Sequence, residues 1–186
     1  MDDGAARTRA LDAAEELFYA RGIQAVGMDE LRDRSGLSLR RLYALFPGKE
    51  ELVVAVLERR DERWRRRLAD HVAAVPEPAE RIPAVFDWLG EWFAQPGFRG
   101  CAWINSNGEL GGVSAAVAAQ AREHKRRFRA DLGRLVSDAG LPEPLTDELL
   151  VLAEGAMATA GITGSPEPAA HARRAARTLL AAAAPA

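Results

Sequence analysis

The hydrophobic positions of this chain recur at the spacing of α-helices and nowhere alternate with polar positions over the length of a strand. The first helix, over about Ala5–Ala20, carries one apolar stripe: Leu11, Ala14, Leu17 and Phe18. Between the Pro and Gly clusters the chain is dominated by Ala, Leu, Arg and Glu, which favour helices. The pattern predicts an all-α fold of about nine helices.

Helix-ending residues divide the first fifty positions into short segments. Gly22 ends the first helix, and a turn at Ser35-Gly36 separates a second helix from a third, which Ser38 can cap. Pro47 ends the third helix, because proline cannot continue the hydrogen-bond ladder. Two short helices joined by a Gly-containing turn are typical of a helix-turn-helix, whose second helix enters the DNA major groove. We therefore expect a DNA-binding domain at residues 1–48 and a helical body at 49–186.

The formal net charge of −2 does not suggest nucleic-acid binding, but the charge is unevenly distributed. Between Arg34 and Lys49 there are four basic residues, which include Arg40 and Arg41, and no acidic residue. Phosphate contacts need local cations rather than a basic protein. The acid-free window coincides with the predicted DNA-facing segment.

Several short motifs in the first quarter of the chain keep a fixed spacing: Ala10–Phe18, Arg21-Gly22, Met28–Leu31, Ser35–Ser38, Leu42-Tyr43 and Phe46–Leu52. Together they resemble the N-terminal domain of TetR-family transcriptional regulators. A weaker similarity, to the ligand domain of one subgroup, covers Gly100–Asn105, Glu109 and Arg122–Lys125. The resemblance implies a dimer of all-helical subunits that responds to a small molecule and is usually a repressor. It also implies that the third helix is the recognition helix.

The chain departs from the family pattern at three places. Gly27 stands where many members have Thr or Ser, so that hydroxyl contact to phosphate is absent. Leu39-Arg40-Arg41 replaces the more usual Lys-Gly-Thr, and Leu45 stands where His is frequent. The operator sequence therefore cannot be transferred from a relative.

Arginine suits both guanine edges and phosphates, so the sequence leaves open whether Arg40 or Arg41 reads a base. Tyr43 is expected to contact phosphate, with core packing as the alternative. A cation at the start of the fourth helix favours phosphate there. The predicted DNA-binding residues are Ser38, Leu39, Arg40, Arg41, Tyr43 and Lys49. The basic run at 59–67 lies about 15–25 Å further along the fourth helix, where a solvated face with inter-helix ion pairs is favoured over nucleic-acid contact.

Aromatic residues concentrate in the fifth and sixth helices, which predicts a pocket for a small, largely apolar ligand between helices. Ordinary core packing is the alternative for each residue, but Asn and Glu buried near tryptophans are costly unless paired. The predicted ligand-binding residues are Trp88, Trp92, Phe93, Trp103, Asn105, Asn107 and Glu109.

Other chemistry finds little support. Cys101 excludes an internal disulfide and fits a reducing cytoplasm, and a buried inert thiol is favoured over a redox sensor because Arg99 is the only cation beside it in sequence. The three histidines lack metal-ligand spacing, so neither a metal nor a cofactor is expected. Enzyme motifs, a secretory signal and a membrane-length apolar run are also missing, which predicts a cytoplasmic protein that is not an enzyme.

These observations combine into one hypothesis: a ligand-responsive transcriptional regulator, expected to be a repressor, that binds a palindromic operator as a homodimer. The eighth and ninth helices are expected to form the dimer through small-residue faces. Those faces consist of Ala153, Ala156, Ala160, Ala172, Ala175 and Ala176. A helical adaptor that binds only proteins is the alternative, although it would not need an acid-free basic segment.

Overall fold

The computed structural model describes residues 2–183, and that range contains nine α-helices and no strand. The helices are α1 (Asp3–Arg21), α2 (Met28–Ser35), α3 (Leu39–Leu45), α4 (Lys49–Ala73), α5 (Pro78–Phe93), α6 (Ala102–Leu110), α7 (Ala115–Asp138), α8 (Leu145–Thr163) and α9 (Glu167–Ala183). The predicted all-α fold is confirmed. None of the described helices is long and apolar enough to cross a membrane.

The chain packs into two compact units. The first unit comprises Met1–Glu62 and Ala102–Arg122, and the second comprises Arg63–Cys101 and Glu123–Ala186. Helices α4 and α7 therefore contribute residues to both units. The sequence predicted a DNA-binding domain at 1–48 and a helical body at 49–186. These boundaries concern function and differ from those of the two packing units, so the predicted domain division stays a prediction.

The core of the first unit forms where α1 packs against α2 and α3. Small residues on the buried face of α1, such as Ala10 and Ala14, let the neighbouring helices approach closely. Leu42 of α3 is 1% exposed and Phe46, which follows α3, is 2% exposed, so both belong to this core. Burying large apolar side chains of this kind stabilises the fold by about 1.5–3 kcal/mol each.

The second unit is built around α5, α8 and α9. Helix α5 is apolar around much of its circumference, and Val85, Phe86 and Leu89 are almost fully buried. Between α8 and the loop before α6, a Cβ at Gly161 would lie 2.7 Å from the Cα of Gly100, so only glycine permits this approach. Five of the six alanines predicted to form the dimer face are already buried, and Ala175 is half-buried. The exposed surface of α8 and α9 consists mostly of other residues.

Helix α5 contains a proline, Pro83. The helix begins at Pro78, so Pro83 lies in the second turn, beyond the first-turn positions where a missing N–H costs nothing. Pro83 is buried, and this burial offsets part of the cost of the lost hydrogen bond.

Candidate nucleic-acid interface

The turn between α2 and α3 is fixed by one glycine and one arginine. Gly36 adopts the left-handed conformation with φ +65°, which costs glycine little and other residues more. The Arg9 guanidinium of α1 donates to the backbone carbonyl of Ser35 at 2.5 Å and occupies the space into which a Cβ at Gly36 would project. The angle between α2 and α3 is therefore set from α1 as well as by the turn itself.

Helix α3 is capped by Ser38 as its sequence indicated. The Ser38 hydroxyl oxygen accepts a hydrogen bond from the backbone N–H of Arg41 at 3.2 Å. This cap satisfies one of the orphan N–H groups at the helix start. Burial of Leu42 then fixes which side of α3 faces outward.

The outward side of α3 carries side chains suited to DNA. Arg40 is exposed and forms no hydrogen bond or ion pair with any of the described residues. Tyr43 is 48% exposed, so the core-packing alternative does not hold for it. Leu39 is half-buried. Phosphate or base contacts by these residues stay predictions, but the exposure they require is present.

The other arginine of α3 is partnered. The Arg41 guanidinium forms an ion pair with the carboxylate of Asp3 in the first turn of α1. Arg34, at the end of α2, pairs with Glu16 of α1 at 2.5 Å. The window that is free of acids in the sequence thus acquires acidic neighbours from α1 in the folded chain.

Lys49 at the start of α4 is half-buried rather than fully exposed. Its Nζ lies 5.9 Å from the centre of the Phe18 ring. Burial lowers the pKa of Lys49 below its usual value, and the Glu109 carboxylate offsets part of that effect. The phosphate contact expected from Lys49 stays a prediction.

Glu109, predicted as a ligand-binding residue, binds the loop between α1 and α2, and its role in ligand binding stays a prediction. Its Oε2 accepts from the backbone N–H of Gln24 at 2.9 Å, and its own carbonyl accepts from Gln24 Nε2 at 2.9 Å. Asn105 and Asn107 are exposed, so the premise that these amides are buried is wrong. Their role in ligand binding stays a prediction, as does that of Trp103, which is buried in the first unit.

The remaining predicted ligand residues, Trp88, Trp92 and Phe93, lie together in the second unit. They belong to an aromatic cluster centred on Trp64 of α4, whose ring meets that of Trp88 edge-on at 5.1 Å and that of Phe128 at 5.1 Å. The cluster also includes His124, 5.2 Å from Trp64. Trp64 is not among the residues predicted from the sequence, because residues 59–67 were interpreted only as a charge run.

The same run forms the inter-helix ion pairs that the sequence favoured. Arg59 and Arg60 both bind Glu15 of α1, at 3.0 and 2.8 Å. Further along α4, Arg65 binds Asp131 of α7 through two hydrogen bonds. The guanidinium groups of these arginines are bound to carboxylates of neighbouring helices. Nothing in these contacts supports the alternative that they bind nucleic acid.

Cys101 is buried, as expected, with 2% exposure. A cation that the sequence did not indicate contacts it: Lys125 of α7 donates to the Cys101 Sγ at 3.3 Å and also binds Glu154 at 2.5 Å. Within residues 2–183 no group of His, Cys, Asp and Glu has the arrangement of a metal site.

Comparison with known proteins places this arrangement in a family. Residues 10–56 match the family described as bacterial regulatory proteins, tetR family. An uncharacterized HTH-type transcriptional regulator of Mycobacterium tuberculosis is 34% identical over 122 residues, which is 62% of this chain and 59% of that protein. The chain thus matches less than two thirds of that relative's length.

Two solved structures match over almost the whole chain. A TetR-family transcriptional regulator from Streptomyces coelicolor has a TM-score of 0.87 and 26% identity, with 97% of this chain and 96% of that chain covered. A tetR-type transcriptional regulator from Streptomyces avermitilis has a TM-score of 0.83 and 30% identity, with 96% and 97% covered. The helix-turn-helix, the nine described helices and these matches agree, and the chain belongs to the TetR family of bacterial transcriptional regulators.

Proposed function

We propose that the protein is a ligand-responsive repressor that reads a palindromic DNA operator with α3, as a homodimer. The observation that carries this proposal is the division of α3 into two sides. Leu42 is buried and anchors the helix, while Arg40 and Tyr43 are exposed on it. A recognition helix needs a buried anchor and exposed side chains, because its orientation must be fixed before its side chains can read a groove.

The test is selection of binding sites from a pool of random duplexes, followed by affinity measurements at physiological salt with competitor DNA. We expect one palindromic sequence to be enriched, with half-sites about 10 base pairs apart or a multiple of that spacing. Arg40→Ala combined with Arg41→Ala should weaken binding to it by about 1–3 kcal/mol or more. The matched control is Arg66→Ala with Arg67→Ala, which removes two exposed arginines of α4 in the second unit. Absence of any enriched sequence, or unchanged affinity of the α3 variant, would refute the proposal.

Dimer formation through α8 and α9 is supported by the surface they leave uncovered. An open groove of about 660 Å³ runs between the two helices, lined by residues such as Leu152, Thr159 and Ala172. Val151 and Ile162 of α8 are 70% and 86% exposed. Large apolar side chains exposed along one helix favour association with a second copy through the same surface, as a two-fold dimer requires.

The effector is proposed to be a small, largely apolar molecule that contacts the aromatic cluster of the second unit. Trp64, Trp88 and Trp92 offer apolar faces and polarisable rings, which suit such a ligand. The effector would lower operator affinity by preferring a conformer that binds DNA poorly. Quenching of tryptophan fluorescence identifies ligands, and operator titrations with and without them measure the coupling. Ligands that bind to the aromatic cluster without changing operator affinity would contradict the proposed effector response.

A further inference from the structure

Both the backbone and the side chain of Arg41 have partners in the DNA-free protein. Its backbone N–H donates to the Ser38 hydroxyl at 3.2 Å, and its guanidinium pairs with the carboxylate of Asp3 on α1. The side chain of Arg41 is 34% exposed, whereas Asp3 is 80% exposed. The adjacent Arg40 is exposed and has no partner among the described residues.

We propose that Asp3 is a specificity determinant: it withdraws Arg41 from the DNA, so that Arg40 alone reads base edges while Arg41 adds no phosphate contact. This inference rests on the proposed function, in which α3 enters the groove. It resolves a choice that the sequence leaves open, because both arginines lie in the first turn of α3.

The chemistry of the guanidinium supports this assignment. Reading a guanine requires two parallel N–H donors of one arginine, and in Arg41 Nη2 already donates to Asp3. A carboxylate beside Arg41 also repels the DNA phosphates, which compete for the same cation. An exposed ion pair of this kind changes an equilibrium by no more than about fivefold, so Asp3 tunes DNA affinity without blocking it.

The first experiment uses Asp3→Asn in the full-length protein, with Asp2→Asn as the matched control. Asp2 carries the same charge one residue away and forms no ion pair among the described residues. On a duplex of unselected sequence, we expect Asp3→Asn to raise affinity about two- to fivefold, with a smaller change for Asp2→Asn. The freed Arg41 adds one phosphate contact, so the slope of log K against log salt should steepen by about 0.9.

The same measurement is repeated in an Arg41→Ala background. If Asp3 acts through Arg41, the gain in DNA affinity from Asp3→Asn falls in that background to the small gain seen with Asp2→Asn. An equal gain in affinity with and without Arg41 would overturn the proposal, because it would show a general effect of charge. Circular dichroism and thermal unfolding of each variant confirm that affinities are compared between folded proteins.

The second experiment separates the two arginines on the selected operator and on its single-base-pair variants. We expect Arg40→Ala to lose discrimination at one base pair of each half-site by about tenfold, while Arg41→Ala retains it. Loss of discrimination in Arg41→Ala would overturn the assignment. If no operator can be selected, the proposed function fails, yet the Asp3 cycle on unselected DNA still tests the withdrawal of Arg41.

Discussion

Glu109 of α6 accepts two hydrogen bonds from Gln24 of the α1–α2 loop. The Glu109 carboxylate accepts from the backbone N–H of Gln24, and the Glu109 backbone carbonyl accepts from the Gln24 side-chain amide. The loop precedes α2, so α6 is attached to the segment that leads into the helix-turn-helix. A Cβ at Gly22, in the same loop, would come within 3.2 Å of the Glu109 carboxylate oxygens. Helix α6 and this loop are therefore joined by direct contacts.

Replacing Glu109 should loosen the loop without unfolding the first unit. Glu109→Ala removes the acceptor for the Gln24 backbone N–H, so we expect amide hydrogen exchange in residues 22–27 to accelerate about two- to tenfold. Mass spectrometry of exchanged peptides measures this. Glu58→Ala is the control, because Glu58 accepts a bond from Gln120 elsewhere in the first unit. Equal acceleration in both variants would argue against a local role of Glu109.

Gly36→Ala should destabilise the helix-turn-helix for two reasons. The left-handed conformation costs alanine about 1–2 kcal/mol, and the added Cβ displaces the Arg9 guanidinium. Gly140→Ala bears only the first cost, since it has φ +67° and open space around it. Urea unfolding should show the larger loss for Gly36→Ala, and the excess should vanish in an Arg9→Ala background. A persistent excess would mean that Arg9 is not the obstruction.

Trp64→Ala should be the most damaging single change in the aromatic cluster. Its ring is 5% exposed and contacts Trp88, Phe128 and His124 at centroid distances near 5 Å. Truncation to alanine leaves a large cavity, and we expect a loss of about 3–5 kcal/mol in the free energy of unfolding. Val113→Ala, at a position 83% exposed, should change it by less than about 0.5 kcal/mol. A small effect at Trp64 would show that the cluster can collapse onto the vacated space.

The carboxyl group of Glu123 should titrate far below its ordinary range. Hydrogen bonds from Arg126 and Arg127 lower its pKa from 4.5 to about 2. A depressed pKa stabilises the folded state above the unfolded value, so this contribution is complete above about pH 4.5 and is lost as pH falls through 2. Carbon-13 NMR of the side chain gives the midpoint directly, and Arg126→Gln with Arg127→Gln should return it toward 4.5. A wild-type midpoint near 4.5 would contradict these two hydrogen bonds.

The dimer prediction rests on the exposed apolar residues of α8. Val151→Lys with Ile162→Lys places two charges on that surface, and we expect sedimentation velocity to show monomers at concentrations where the wild type is dimeric. Val113→Lys is the control, because Val113 is equally exposed but lies outside α8. A dimer that survives the double change would place the interface elsewhere.

The helices and their caps could be predicted because each depends on nearby residues. Ser38, Gly36 and Pro47 define the limits of α3 through local hydrogen bonding and backbone geometry. The charged partners could not, since Arg41 meets an acid 38 residues away and Arg34 meets one 18 residues away. Such pairs depend on how helices pack, which no local pattern reports.

The burial of Trp64 was not predicted, because this residue stands among arginines in a charge run. Four buried residues nevertheless recur at helical spacing along α4: Leu57, Asp61, Trp64 and Leu68. The apolar members of that series, Leu57, Trp64 and Leu68, indicate a buried face of α4 and place Trp64 on it. The exposure of Asn105 and Asn107 was not readable, because a short helix with mixed residues does not show which side is covered.

The first unit is assembled from two separate stretches of chain, Met1–Glu62 and Ala102–Arg122. A hybrid regulator made by a single crossover after Gly48 would therefore take α6 and all of α4 from the other parent. Glu109, which binds Gln24, would be replaced by whatever residue the other parent has at that position. Exchange of DNA specificity between such proteins preserves the unit only when the junctions fall after residues 62, 101 and 122.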